Sequence, residues 1–516
     1  MATFIRLKKS RNMMNRFLAV CFFISFSLCV QAQQITFSEP YREDALSMNF
    51  DILGKINGTL AIFKNVRWHY AVNFFNDSMQ LKEKVDLDYL PGKTFNVDCI
   101  PYNDYIWLIY QYQKKGVLYC MAQKLDAEGK KVNEPLQIDT TSIGSMGDNK
   151  IYSTIFSDDK KSIIVFKMQR KDDMANFVVK LYDKEMQLQH QSRLSIPYED
   201  RIHSFGDFFV DNDGNFVFSN TERKNTRDNP GILMLVTKAP QADTFKVNKL
   251  PFDSAYVDNV AMKIDNLNKR YIVSAFYYTD RSGNIEGMYN YVWDAAGDST
   301  YASVFSVFND DLRTSAKTSG SNRSAFDDFF IKNIILKRDG SFIVTAEDQT
   351  TQSSGFNNFN RYNYLYGSPF FNPYDYYSYT PSYYGFYRPF SSFGNTGIRY
   401  YNDNILVLSV AKNANPEWTN IIHKQQYSDE NDNFISFCTF NTSGQVHFLF
   451  NDISKREKHL SDNIITPGGT IKRNPTLRTY EKGFELMPKF AKQVGTRQVI
   501  IPCTYRGQIC FAKVDF

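Results

Sequence analysis

The chain has 516 residues, with 60 Lys+Arg against 55 Asp+Glu, and 16% of its residues are aromatic. Its positive excess lies in the first 32 residues, which hold five basic residues and no acid, so the remainder carries 55 charges of each sign. That balance leaves no basic surplus for nucleic acid or a polybasic membrane contact, and a net charge near zero suits a protein that works within a complex.

At the N-terminus, Arg6, Lys8, Lys9, Arg11 and Arg16 precede an apolar run over 17–30. The run has the length of a signal h-region and is too short to span a bilayer. Val30-Gln31-Ala32 supplies small residues for cleavage, so residues 1–32 read as a signal peptide and the mature chain starts near Gln33. Cys21 and Cys29 follow Val20 and Leu28, which does not make a lipoprotein site. No later run reaches the apolar length of a membrane helix. The expected location is periplasmic, peripheral to the outer membrane, or secreted.

After a lone strand over 33–40 (QQITFSEP), short apolar strands recur behind polar turns. They are KINGTLAIFKN (55–65), YNDYIWLIYQY (102–112), SDDKKSIIVFKM (157–168), DNDGNFVFSN (211–220), DNLNKRYIVSAF (265–276), KRDGSFIVTAED (337–348), NTSGQVHFLFND (441–452) and QVGTRQVIIPCT (493–504). Asn-Gly and Asp-Gly supply the positive φ of tight hairpins, and Tyr and Phe favour a pleated surface. Gly58, Tyr105, Lys161, Gly214, Asn268, Gly340, Gly444 and Gly495 mark intervals of 47, 56, 53, 54, 72, 104 and 51 residues. A period near fifty, enough for four short strands, predicts an all-β chain forming a β-propeller of eight blades, or seven if one marker is spurious. The strand at 33–40 is expected to complete the last blade and remove two open edges. A membrane barrel ending at Phe516 fits less well, because 162–166 and 342–344 are apolar without alternation.

The two long intervals contain insertions. The segment 310–324 precedes the first strand of the sixth blade, expected from Asp327 to Leu336. The insertion at 350–402 lies between a second strand, Phe342 to Ala346, and a third, Asn404 to Ala411. Both therefore emerge on one face. Nine of the nineteen residues of NPYDYYSYTPSYYGFYRPF (372–390) are Tyr or Phe: Tyr374, Tyr376, Tyr377, Tyr379, Tyr383, Tyr384, Phe386, Tyr387 and Phe390. Pro and Gly forbid a helix there, and so many rings call for burial. They can fold over the propeller's own face, insert into a protein partner, or stack on sugars.

Signals for chemistry are weak. No GxSxG, HExxH, P-loop or dinucleotide fingerprint occurs, and no Cys/His spacing suggests a metal; no cofactor is expected. DNDGN at 211–215 lacks the rest of a calcium loop and reads as a hairpin turn. Ser157-Asp158 lacks the Gly and Trp of an Asp-box. Glu347 and Asp348 fall at the insertion-bearing face, where glycoside cleavage would need two separated carboxylates. His69 beside Trp68, and His447, read as packing residues. Asn57-Gly58-Thr59 is a formal glycosylation sequon. A turn at Arg506-Gly507 places Cys503 opposite Cys510, within disulfide reach, with two free thiols as the other reading.

The Ala-Gln-Gln junction (32–34), the Asp-Gly-type turns and the Asn/Tyr/Phe-rich composition resemble the exported β-propellers of Bacteroidota. That resemblance implies an accessory subunit of an outer-membrane assembly. The expected function is a non-enzymatic periplasmic propeller that docks through its aromatic loop onto an envelope protein complex. The alternative is a carbohydrate-binding or polysaccharide-degrading propeller.

Overall fold

A computed structural model describes residues 34–40, 48–92, 94–143, 150–226, 228–252, 255–281, 283–318, 320–353, 361–366, 398–429, 431–442, 444–454, 457–474 and 483–516. The strands form eight antiparallel sheets arranged as an eight-bladed β-propeller. The first seven blades cover 48–86, 94–142, 152–197, 203–249, 256–307, 329–422 and 437–473, each with four strands in sequence order from the axis outward. In the eighth, Phe484–Leu486 and Lys492–Gly495 both pair with Gln498–Tyr505, which pairs with Gln508–Asp515. The N-terminal strand Gln34–Phe37 supplies the outermost position, with Gln34 opposite Asp515 and Phe37 opposite Ala512. The ring is closed as the lone strand at 33–40 suggested.

Six of the eight sequence markers fall in the turn between the first and second strands of a blade, and the other two border it, Tyr105 opening a second strand and Gly495 ending the strand before one. The local chemistry explains the regularity. In the first blade, Asn57 and Gly58 both take positive φ, 46° and 77°, the geometry a two-residue hairpin requires. In the fourth, Asp211 Oδ1 accepts from the backbone N–H of Asp213 and Asn215 at 3.0 and 2.8 Å, while Oδ2 accepts from Asn215 Nδ2 and the Tyr271 hydroxyl. Both oxygens of this carboxylate organise the turn, which accounts for DNDGN.

Most of the second and third strands are apolar on both faces because each blade packs on two neighbours, although the third strand of the seventh blade, Glu457–Ile465, is largely polar. Eight apolar clusters fill the eight interfaces between blades. The third and fourth blades meet through Phe166, Phe177, Phe208, Phe216 and Phe218, all buried, with Phe166 lying 5.0 Å from Phe208 and 5.2 Å from Phe216. Each such ring contributes about 1.5–3 kcal/mol on burial.

The first-to-second-strand turns also bond to one another. Asp159 N–H donates to Asn212 Oδ1 at 3.2 Å, Asn212 N–H to Asn266 Oδ1 at 2.8 Å, and Asn266 Nδ2 to Asp158 Oδ2 at 2.6 Å. The last of these joins the third blade to the fifth, past the fourth. Asn57 N–H reaches Asn103 O at 2.6 Å, and Gln493 Nε2 reaches Asn441 O at 2.9 Å. One mouth of the ring is thus braced by hydrogen bonds between neighbouring turns.

Candidate functional site: the insertion-bearing face

The segment 310–324 joins the outer strand of the fifth blade, Ser299–Val307, to the inner strand of the sixth, Phe329–Leu336. The aromatic insertion joins the second and third strands of the sixth. Both leave the face opposite the braced mouth, as expected. Two local expectations are corrected. The segment 310–324 is not simply a loop: it contains helix α1 (Asp310–Ala316), capped by the Asn309 side chain, which accepts from Leu312 N–H at 2.9 Å, with Asp310 and Asp311 in the first turn. The second and third strands are also longer than the apolar pattern indicated. They are Phe342–Ser353 and Ile398–Val410, and Gln349–Ser353 pairs with Arg399–Asn402 and Ile398 as a two-stranded stalk. The Thr and Tyr residues there have strand propensity without being apolar. Tyr427–Ser428 adds a short third strand to the stalk.

Beyond the stalk, the insertion is clamped to the propeller. Helix α2 (Arg361–Tyr366) places Arg361 over the fifth blade. Its Nε and Nη2 donate to both oxygens of Asp258, at 2.7 and 2.9 Å. Nη1 donates to the carbonyls of Asp327 and Phe329. Asp258 is buried and also accepts from the Tyr278 hydroxyl at 2.6 Å. The guanidinium lies 4.4 Å from the Phe330 ring, and Tyr364 meets the same ring edge-on at 4.8 Å. A bidentate, stacked, desolvated Arg–carboxylate pair fixes both position and orientation.

Next to the clamp is a knot of buried charge. Glu347 is fully buried; Lys424 Nζ lies 2.8 Å from Oε1, and Lys332 Nζ 3.6 Å from Oε2. Asn402 Nδ2 and Ser436 Oγ donate to Oε2 at 2.8 and 2.6 Å. Burial would raise this carboxyl, but Lys424 and then Lys332 outweigh it and hold Glu347 below the usual range. Lys424 also donates to Asn402 O and Gln426 Oε1 at 2.6 and 2.9 Å. Gln426 reaches Asn451 O at 2.6 Å, so the knot ties the sixth blade to the seventh. Asp348 behaves oppositely. Burial pushes it up to about 7, Asp328 and Asp403 add repulsion, and the Thr318 hydroxyl, donating to Oδ2 at 2.8 Å, opposes them.

Although their environments separate these two carboxyls, they are not a catalytic pair. Consecutive strand residues point to opposite faces of a sheet. Glu347 reaches Ser436 at the start of the seventh blade, whereas Asp348 reaches Thr318 in the connection from the fifth. The carboxyls therefore do not converge on one bond.

The remaining sequence candidates separate as follows. Tyr374, Tyr376, Tyr377, Tyr379, Tyr383, Tyr384, Phe386, Tyr387 and Phe390 lie outside the described residues. Cys503 and Cys510 are directly paired across the Arg506-Gly507 turn, as free thiols with Sγ atoms 2.8 Å apart. His447 is buried, with Nδ1 3.0 Å from Asp462 and Nε2 2.6 Å from Thr442, and it stacks on Phe440. Trp68 and His69 are not packing residues. Both are exposed, because Arg67 and Trp68 form the turn itself with φ of 49° and 72°. Sequence reasoning missed Arg361, Asp258 and Lys424. The only available signal was an isolated Arg within an uncharged aromatic stretch.

No family model and no curated protein matches the chain. Among solved structures, it is similar at 7% identity to a prolyl endopeptidase, over 90% of this chain and 55% of that one, with a TM-score of 0.41. It is similar at 9% identity to the polysaccharide lyase Uly1, over 81% and 89%, with a TM-score of 0.36. It is similar at 11% identity to the dihydro-heme d1 dehydrogenase NirN, over 91% and 73%, with a TM-score of 0.38. The chain thus spans about half the length of the peptidase it matches, and these likenesses concern the fold alone.

Proposed function

We propose that this chain is a non-enzymatic periplasmic docking propeller, whose Tyr/Phe-rich insertion binds an envelope or outer-membrane protein assembly. The observation that supports this reading is the root of the insertion. A paired stalk, the Arg361–Asp258 clamp and the neighbouring α1 give the aromatic tract a fixed base on a rigid ring. Binding segments carried on rigid scaffolds lose less entropy on association, and Tyr rings add contact area with few rotors. Tyr374, Tyr376, Tyr377, Tyr379, Tyr383, Tyr384, Phe386, Tyr387 and Phe390 supply the contact, with ring burial as the driving force and hydroxyls pairing to partner backbone.

The test is an affinity pull-down from detergent-solubilised envelopes. It compares the full chain with a variant whose 367–397 is replaced by a short Gly/Ser linker, leaving stalk and clamp intact. A membrane-protein assembly recovered only by the full chain supports the docking function. Recovery of the same assembly by both forms, or by neither, refutes it. Retention by immobilised polysaccharides would instead move the function to the carbohydrate class.

A further inference from the structure

A propeller exposes one strand edge per blade, and such edges are normally guarded by charge, proline or brevity. The outer strands here follow that rule with one exception. Leu81–Asp86, Leu136–Ser142, Leu188–Pro197, Lys246–Lys249, Pro416–Ile422 and Ile471–Arg473 each carry at least one charged residue, and Gln34–Phe37 has only four residues. The outer strand of the fifth blade, Ser299–Val307, has nine residues, STYASVFSV, with no charge and no proline. Phe305 and Val307 are 37% and 71% exposed. Among the described residues, no strand pairs with its far side.

The register shows which backbone groups face outward. Phe308 N–H donates to Glu286 O, and the ladder pairs Gly287 with Val307 through to Val292 with Ala302. Antiparallel ladders alternate inward and outward pairs, so Val304 and Ser306 face the third strand, while Ser303, Phe305 and Val307 direct their N–H and C=O outward. A register shift between Val292 and Trp293 ends the regular edge at the other side.

We infer that this edge pairs with the same edge of a second copy, antiparallel, about a two-fold axis at Phe305. Ser303 of each copy then faces Val307 of the other, the two Phe305 rings are cross-strand neighbours, and about six backbone hydrogen bonds form. Charge favours a second copy over an arbitrary strand. Arg270 stacks on Tyr301 at 3.8 Å near one end of the edge, and Asp310 and Asp311 are exposed just past the other. Two-fold pairing brings the acidic end of each copy to the basic end of its mate. This interface lies on the rim of the ring and is independent of the docking function.

Sedimentation of the purified protein from about 1 to about 100 μM measures the association directly. The expected result is a concentration-dependent dimer. Val307→Pro removes one outward donor without touching the blade's own ladder, and Val307→Lys installs the missing guard; each weakens the dimer at least tenfold. Phe305→Cys gives a covalent homodimer under mild oxidation, whereas Val247→Cys, on the outer strand of the fourth blade, does not. A protein that stays monomeric throughout, with Phe305→Cys cross-linking no better than Val247→Cys, overturns the inference. Should Val307→Pro unfold, Val307→Lys and the cysteine pair still decide.

Discussion

The two faces of the ring are held by different physics. At the braced mouth, short turns use main-chain geometry and solvent-exposed polar contacts such as Asn266 to Asp158 and Lys269 to Asp213. At the opposite face, the sixth blade depends on desolvated charge, with Glu347 between Lys424 and Lys332 and Asp258 under Arg361. Losing such a contact at an exposed turn costs little, because water replaces the partner. Removing one member of a buried ion pair leaves a charge that water cannot reach. The ring should therefore tolerate change at one mouth and respond sharply to it at the other.

Lys424→Met should give the largest effect. It leaves the Glu347 carboxylate with only the more distant Lys332 as counter-charge and costs about 3 kcal/mol. The double variant Glu347→Gln/Lys424→Met should recover most of that loss, which the urea midpoints of the three proteins would measure. A double variant no more stable than the single one would place the cost in packing and break the contrast.

A smaller effect, with its own pH signature, is expected at Asp348. Its folded-state value, about 7, lies above the ordinary 3.8. The folded chain thus holds a proton that the unfolded chain releases in this window. The contribution is fully present below pH 3.8 and lost as pH rises through 7. Asp348→Asn should be nearly neutral near pH 4 and stabilising, on the order of 2 kcal/mol, near pH 8. Equal effects at both pH values would contradict the assignment.

The smallest effect belongs to the braced mouth. Gly340 has φ of +83°, and a Cβ there would lie 3.0 Å from Arg270 Nη1, the end of a flexible side chain. Gly340→Ala should cost about 1 kcal/mol, from backbone strain alone, as a modest shift in the thermal midpoint.

The same contrast explains what could be read from the chain. The braced mouth is sequence-local: Asp211 caps a turn made by its own neighbours, so a turn marker recurs in every blade. The knot at the other face joins Glu347, Lys424 and Ser436, which no spacing rule connects. Side-chain alternation could show that Glu347 and Asp348 diverge, but not which lysine either would meet. The stalk was missed because Thr350, Thr351, Tyr400 and Tyr401 are strand formers without an apolar pattern. Helix α1 was missed because seven residues are too few to show a helical period.

The closing strand sets an order of events. Gln34–Phe37 is synthesised before any blade, yet its partner, Gln508–Asp515, is made after all the others. Blades can form successively as the chain emerges, but the ring stays open until its last strands appear. Through that interval the first strand waits unpaired. At four residues it is too short to seed pairing with another chain, so brevity protects the nascent protein and closure becomes a late, long-range kinetic step.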